Sequence, residues 1–429
     1  MSSRITILGV PIDNLSEKQV VEKIDQFVAE KKPRQVITVN AEFLVAAQHD
    51  IGFREILHRS VLNTPDGIGV LWAAKYLSLS LTASKFWQRA QAFWQATYTG
   101  LAVFFAPAYI RSVIAEKVSG TDLIWSVSNL AEGRGYSIFL LGGFGDTPQL
   151  VGRVLNSKFP KLKIVGAHSG SPEENGVIDL IKSCRPDILF VAFGPVRQEK
   201  WIAQSLEKLA VPVVIGLGGT FDYLADKRPF APHFLRYRGL EWAFRLVTQP
   251  KRLFRVFRAV PVFSRLVYRF KLSQTRPFRK NVVACLVNGK NQVLVCHRKD
   301  KDQVFGSGDH WQLPQGGVNN GESEEETLRR EMAEETGLKK LEILGSISNA
   351  HAYDWPADLA DRMYSGEFRG QAQSIYYARV DPVLHPVKLD EREFDAHAWI
   401  SKSELLDVIH PFRKELIELV VENFDRFVK

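Results

Sequence analysis

The sequence predicts an α/β fold, a doubly wound and mainly parallel sheet, followed by a smaller α+β unit. Three observations lead there. Short β-rich runs alternate with helical patterns up to about residue 245, and such alternation builds parallel sheets through crossover helices. The chain has 429 residues, more than one ordinary core sustains. From Arg279 the rhythm changes to paired strands, a glycine-rich loop and an acidic helix. The predicted division is residues 1–245, a connecting segment 246–278, and residues 279–429. The last is an ordinary domain size.

The elements follow in order. RQVITVN (34–40) reads as a strand, then AEFLVAAQHD as a helix. YSIFLLGG (136–143) is a buried strand leading through FGDTPQ into the helical LVGRVLNSKFP. LKIVGAHSG is a strand and NGVIDLIKSCRP a helix; DILFVAFG (187–194) is a strand and QEKWIAQSLEKL a helix. VPVVIGLGG closes the series. Ligands of such Rossmann-like sheets bind beyond the carboxyl ends of the strands. Those ends carry Thr38, Asn40, Gly142, Gly143, Gly194, Gly218 and Gly219. In the second unit, NVVACLVNGKNQVLVCHRK reads as two strands around the turn NGKN.

Charged residues make up 24% and apolar residues 45%, which excludes a disordered chain. The net charge of +8 is concentrated. Trp242 to Asn281 holds eleven Lys/Arg and no Asp/Glu, so the remainder stands at −3. Local charge points to a local anionic partner. Cys184, Cys285 and Cys296 form no CxxC pair, which favours a reducing compartment over a disulfide framework. Neither a secretory leader nor an apolar run of spanning length is expected, and the predicted location is the cytoplasm.

Two stretches stand apart. Phe86 to Ile110 is aromatic-rich and nearly uncharged. It reads equally as a buried helical hairpin or as an interfacial helix. Gln249 to Lys271 mixes large apolar residues with arginine, and Pro261 is expected to split it into two short helices. That composition suits a helix on an anionic leaflet, with Arg255, Arg258 and Arg265 as its charges; packed helices with solvated arginines are the alternative.

GGVNNGESEEETLRREMAEETGL (316–338) contains a capping box, Ser323 with Glu326, and Gly337 at the helix end. Glu331, Glu334 and Glu335 fall at i, i+3 and i+4, on one face. Such crowded anions invite a hard divalent cation. The spacing of Gly316, Glu322, Arg330-Glu331-Met332, Glu334-Glu335 and Gly337-Leu338 resembles the Nudix box at every fixed position. This resemblance implies cleavage of a nucleoside diphosphate linked to another group, with Mg²⁺ or Mn²⁺ held by Glu331, Glu334 and Glu335. A carboxylate near the metal serves as base, Glu331 foremost with Glu334 and Glu335 as alternatives, and the resemblance has Arg330 and Glu322 bracing the loop. The flanks WQLPQGGVNNGE, RGQAQSIYYARV and EFDAHAWI resemble RNA pyrophosphohydrolases and dinucleoside polyphosphate hydrolases. That likeness implies Glu393 as a further metal ligand, Arg279 as a phosphate contact, and a nucleoside polyphosphate or capped RNA 5′ end as partner.

In the first unit, VITVNAEFL, LNTPDGIGVLWAAKYL, SGTDLIW, FLLGGFGD, PDILFVAFGPVRQEKWI and GLGGTFDYLADKRPFAPHFLRYRGLEWAFRLVTQPKRLFR follow one another. Together they resemble the WecG/TagA/CpsF glycosyltransferases. The resemblance implies inverting transfer of an N-acetylhexosamine, typically N-acetylmannosamine, from UDP to a polyprenyl-diphosphate-linked N-acetylglucosamine. It implies Asp66 as base, with Thr38 and Asn40 beside the acceptor. Gly142, Gly143, Gln198, Glu199, Gly219 and Asp222 would meet the nucleotide sugar, and Arg228, Arg245 and Arg252 the acceptor diphosphate. No cofactor is evident for this unit. The proline of the family's Gly-x-Pro-Lys-Gln-Glu is displaced in Gly194-Pro195-Val196-Arg197-Gln198-Glu199. LLGGFG is not GxGxxG, which argues against a dinucleotide site.

The reading is therefore a bifunctional enzyme of cell-surface polysaccharide synthesis on the inner face of the membrane. Its expected partners are a UDP-sugar, a lipid-linked acceptor and an anionic membrane surface. The competing readings make the second unit a nucleotide-binding regulator or tether, or the chain a nucleic-acid binder. Oligomeric state stays open.

Overall fold

A computed structural model of the chain describes residues 4–82, 84–225, 244, 253–299, 311–409 and 413–429. It divides into two compact units, Met1–Leu272 and Ser273–Lys429.

The first unit begins with an antiparallel hairpin, β1 (Arg4–Ile7) and β2 (Val10–Asp13), which the strand-helix rhythm did not disclose. There follow α1 (Glu17–Glu30), β3 (Arg34–Val39), α2 (Ala41–His49), α3 (Ile51–Arg59), β4 (Leu62–Pro65), α4 (Ile68–Ser78), α5 (Lys85–Phe105) and α6 (Pro107–Ile110). Then come α7 (Gly120–Arg134), β5 (Ser137–Gly142), α8 (Thr147–Lys158), β6 (Lys163–His168), α9 (Val177–Cys184), β7 (Ile188–Ala192), α10 (Arg197–Leu209), β8 (Val213–Gly216), α11 (Thr220–Leu224) and α12 (Leu253–Ser273).

Six strands form a parallel sheet in the order β4-β3-β8-β7-β5-β6. Alternate residues along each strand enter different cores. Ile138, Leu140, Phe190 and Ile215 pack with α1, α7 and α8 on one face. Phe139, Leu141, Val191 and Val214 pack with α9 and α10 on the other. Burial on both faces is why these strands read as unbroken apolar runs.

Two expectations are corrected. Pro261 does not divide its segment, because α12 runs unbroken through it. Phe263, Leu266, Val267 and Phe270, at i, i+3, i+4 and i+7, are all buried. Burying four such side chains at about 1.5–3 kcal/mol each outweighs the ~3 kcal/mol an interior proline costs. The apolar stripe of this half of α12 is therefore core, not lipid-facing. Lys271 is buried too; its ammonium donates to the Tyr76 and Leu79 carbonyls and lies 4.4 Å from the Tyr76 ring centroid. The side chains of Arg255 and Arg258 lie outside the described residues, whereas Arg265 is exposed. The aromatic segment is not a buried hairpin. It is one 21-residue helix, α5, followed by the single turn α6. One face of α5 is open, with Phe86 80% and Phe105 84% exposed. Among the described residues no helix is long and apolar enough to cross a membrane.

The second unit contains β9 (Arg279–Val287), β10 (Val293–Arg298), β11 (Trp311–Gln312), β12 (Gln315–Gly317), α13 (Glu324–Thr336), β13 (Glu342–Asp354), α14 (Ala357–Arg362), β14 (Gly370–Arg379), β15 (Phe394–Ile400), α15 (Leu405–Val408) and α16 (Lys414–Phe427). The sheet is mixed: β9 pairs parallel with β14, and β12 pairs antiparallel with β9. Helix α13 covers one face through Leu328 and Met332. Helix α16 covers the other through Leu416, Ile417, Val420 and Phe424. Inward-facing alternation along β9 serves both, Val282 and Ala284 toward α13, Val283 and Cys285 toward α16.

Candidate active sites

The strand order places the carboxyl ends of β3 and β4 side by side, with those of β8, β7 and β5 beyond them. Thr38 on β3 is level with Thr64 on β4, and Val39 with Pro65. The Asp66 amide donates to the Val39 carbonyl at 2.8 Å, tying the loop after β4 to β3. Asn40 follows β3 and caps α2, its Oδ1 accepting from the Phe43 amide at 3.0 Å. Gly67, at φ +101°, then opens α4. Asp66-Gly67 is thus the junction between a strand and a helix, at the carboxyl end of β4.

Glycine is required on the β5 side. Gly142 lies at φ +100°, and a Cβ there would fall 2.7 Å from the Ala192 backbone. The Gly143 amide donates to the Ala192 carbonyl at 3.0 Å. After β7, Gly194 and the β-branched Val196 both have positive φ, +90° and +66°. A valine there is strained, and it sits where the proline of the motif is displaced.

Gln198 and Glu199 open α10, and both are buried. Gln198 Oε1 accepts from the Gly218 amide at 2.9 Å, and its Nε2 donates to Glu199 Oε1 at 2.8 Å. Gln35 Nε2 donates to the Glu199 carbonyl at 3.2 Å. Glu199 Oε2 has no hydrogen-bond partner. Burial pushes the Glu199 carboxyl up to about 8, against the Gln198 hydrogen bond that lowers it. It is therefore largely protonated at neutral pH. Gly216 makes room for this pair, since a Cβ there would stand 2.3 Å from Glu199 Oε1. Gly219 caps α11, and Asp222 lies in that helix's first turn.

In the second unit the acidic helix has the forecast capping box and Gly337 terminus. Arg330 binds Glu322 twice, at 2.8 and 3.0 Å, and reaches Glu331 at 2.8 Å and Glu334 at 3.2 Å. It holds the Glu322 carboxyl down at about 2. Glu331 packs on Gly316, where any Cβ would collide with it. Its carboxyl is raised by burial and opposed by Arg330. Glu335 is buried, accepts from the Gln315 amide at 3.2 Å, and is pushed up to about 9 by burial and then by Glu393 and Glu331.

The three glutamates do not share one environment. Glu334 points to solvent, Glu335 inward, and Glu331 between them. Among the described residues no group of three or more His, Cys, Asp or Glu stands ready as a metal cluster. The donor chemistry nevertheless fits a hard cation. All four carboxylates offer oxygen only, and Glu331, Glu335 and Glu393 repel one another. Arg279 lies against Gly317, whose Cβ would clash with the guanidinium, and its Cζ is 4.3 Å from the Tyr364 ring centroid.

Comparison with known proteins matches residues 5–84 and 81–277 to the Glycosyl transferase WecG/TagA/CpsF family and residues 277–420 to the NUDIX domain. The chain belongs to the WecG/TagA/CpsF glycosyltransferase family. It carries a C-terminal Nudix domain. An N-acetylglucosaminyldiphosphoundecaprenol N-acetyl-beta-D-mannosaminyltransferase of Staphylococcus aureus is 23% identical over 273 residues, 63% of this chain and 94% of that protein. An RNA pyrophosphohydrolase of Gluconacetobacter diazotrophicus is 35% identical over 156 residues, 35% of this chain and 93% of that protein. The MutT protein of Methanosarcina mazei Go1 is 23% identical, covering 35% of this chain and 95% of that one, with a TM-score of 0.27.

Within the WecG/TagA/CpsF unit, the fold brings Thr38, Asn40 and Asp66 to adjoining strand ends. Gly142, Gly143 and Gly219 occupy the neighbouring strand ends and loops, and Gln198, Glu199 and Asp222 the first turns of the helices that follow. Arg228, Arg245 and Arg252 lie outside the described residues. Sequence reasoning missed Gln35, Gly216 and the strained Val196. In the Nudix unit it missed the buried Arg413, whose Nη1 donates to Gln315 Oε1 at 2.7 Å, and Gln373, which donates to the same oxygen at 3.2 Å. Arg413 had no spacing signal, because its partner lies 98 residues away.

Proposed function

We propose that the glycosyltransferase unit transfers an N-acetylhexosamine, N-acetylmannosamine foremost, from UDP to a polyprenyl-diphosphate-linked N-acetylglucosamine with inversion. The observation that carries this is the convergence of Asp66, Thr38 and Asn40 at adjoining strand ends beside the glycine-lined loops of β5, β7 and β8. The Asp66 carboxylate takes the proton of the acceptor hydroxyl as its oxygen attacks the anomeric carbon. The bond to UDP breaks with the electron pair leaving on the diphosphate. Backbone amides of the glycine loops receive that charge, and Arg228, Arg245 and Arg252 are assigned to the acceptor diphosphate. Work on such an acceptor puts the enzyme at the cytoplasmic face of a membrane, in cell-surface polysaccharide synthesis.

For the Nudix unit the proposal is hydrolysis of a nucleoside diphosphate-linked substrate, either a nucleoside polyphosphate or a capped RNA 5′ end. Glu331, Glu334, Glu335 and Glu393 would hold Mg²⁺ or Mn²⁺, which when bound screens pyrophosphate and lowers the pKa of water. Glu331 accepts the proton of the water that attacks one phosphorus, the bridging P–O bond breaks with its electron pair leaving on the other phosphate, and Arg279 meets a phosphate.

The deciding assay supplies UDP-N-acetylmannosamine and a short-chain prenyl-diphosphate-N-acetylglucosamine. Asp66→Asn should lower transfer at least about 100-fold while leaving Nudix turnover intact; undiminished transfer refutes the role of Asp66. Glu335→Gln should abolish metal-dependent hydrolysis alone. Nucleotide binding without turnover in the wild type would make the Nudix unit a regulatory module instead.

A further inference from the structure

Two long segments of the chain contain no acidic residue. One is 242–281; the other runs from Gly67 to Ala115 and includes Lys75, Lys85, Arg89 and Arg111. Although far apart in sequence, they meet in the fold. Phe263 of α12 packs edge-on to Trp72 of α4, with ring centroids 6.1 Å apart. Trp72 Nε1 donates to Thr99 Oγ1 of α5 at 3.0 Å, and Tyr76 Oη to the Ala92 carbonyl at 3.1 Å. The Tyr268 hydroxyl of α12 donates to the Arg89 carbonyl of α5 at 3.2 Å.

Helix α5 divides cleanly. Ala92, Gln95, Thr99, Ala102 and Val103 form its buried side. Phe86, Trp87, Phe93, Trp94, Leu101 and Phe105 are exposed. At 100° per residue these six fall within an arc of about 120°, along a helix of roughly 30 Å. Monomeric proteins rarely leave so continuous an apolar surface to water. Its composition is informative: tryptophan and phenylalanine on the open face, with basic residues and no acids in the two segments that build it. An anionic lipid surface favours that combination, taking rings at headgroup depth and cations at the phosphates. Exposed Arg89 and Arg265 supply charge on α5 and α12.

Position strengthens the case. The contacts 72 with 99 and 76 with 92 make α4 and α5 antiparallel. The Leu101–Phe105 end of α5 therefore lies beside the start of α4, two residues after Asp66. We propose that the aromatic face of α5, flanked by basic residues of α12, is a monotopic docking surface for an anionic lipid leaflet, setting the Asp66 end of the sheet toward the membrane. This rests on the reading of the acceptor as lipid-linked, but its test does not.

The full-length protein is sedimented with phosphatidylglycerol/phosphatidylethanolamine vesicles and with phosphatidylcholine vesicles. The wild type should bind the anionic vesicles. Phe86→Ser/Trp94→Ser/Phe105→Ser should lower the bound fraction at least about tenfold at low and high salt. Arg265→Glu should weaken binding only at low salt, where charge is unscreened. Brominated lipid should quench the wild-type tryptophan emission more than that of Trp87→Phe/Trp94→Phe. The triple variant should keep the wild-type melting temperature and full transfer to a water-soluble acceptor, while transfer to a vesicle-embedded acceptor falls. Equal sedimentation of wild type and triple variant overturns the proposal. So does a wild-type dimer that the triple substitution renders monomeric, with neither protein binding vesicles: the face then belongs to a second copy. If vesicle binding behaves as stated but neither acceptor receives sugar, the docking surface stands and the transfer reading fails.

Discussion

Helices α5 and α12 are alike on paper. Each has 21 residues, each is rich in large apolar side chains, and each lies in an acid-free segment. The basic one looked suited to a membrane, yet the apolar stripe of its second half is core. The aromatic one looked equally suited to a buried hairpin, yet it opens its rings to solvent. The difference lies in what each helix has to pack on. Helix α12 buries a stripe at i, i+3, i+4 and i+7, and its Phe263 packs on Trp72 of α4. Helix α5 uses small and polar residues (Ala92, Gln95, Thr99, Ala102) for its inner side, which leaves the large ones outward. Size of side chain does not predict direction when the contacting face is built for close approach.

Substitutions can break or sharpen this contrast. The largest effect is expected from Val267→Asp, which buries an unpaired charge in the α12 seam; we expect a loss of about 3–5 kcal/mol in urea unfolding of the first unit. Leu266→Ala should cost ~2–5 kcal/mol by leaving a cavity. A smaller, pH-dependent effect is expected at Glu199. The folded state keeps its proton up to about pH 8, whereas the unfolded chain releases it near 4.5. Between those values the native state binds the extra proton, so stability falls as pH rises and levels off above pH 8. Glu199→Gln should flatten that slope in melting curves recorded from pH 5 to 8. The smallest effect should come from Trp94→Ser on α5, within about 0.5 kcal/mol. A large loss there would mean that the open face of α5 contributes to the core after all.

The parts of the molecule that could be read in sequence share a physical cause. Strands β3, β5, β7 and β8 are buried on both faces, so they appear as continuous apolar runs. The Nudix glutamates lie on one helix, so their spacing survives in the sequence. Helix geometry alone did not reveal that Glu334 turns outward and Glu335 inward; the Gln315 amide and Arg330 decide that. Glu199 was visible as a motif position, but its protonation depends on burial in the space that Gly216 leaves, and Gly216 arrives from another strand. The β1–β2 hairpin is short, and Arg4–Asp13 pairing at 2.9 Å has no local signature.

The placement of the cysteines has a practical consequence. Cys285 and Cys296 are fully enclosed in the sheet of the second unit, and burial raises both thiols. Cys184, at the end of α9 in the first unit, is partly accessible. A maleimide dye should therefore label the native chain at Cys184 alone, giving a single-site optical handle without mutagenesis. Any further uptake would time the opening of the Nudix sheet, so one reagent can follow the two units separately during denaturation.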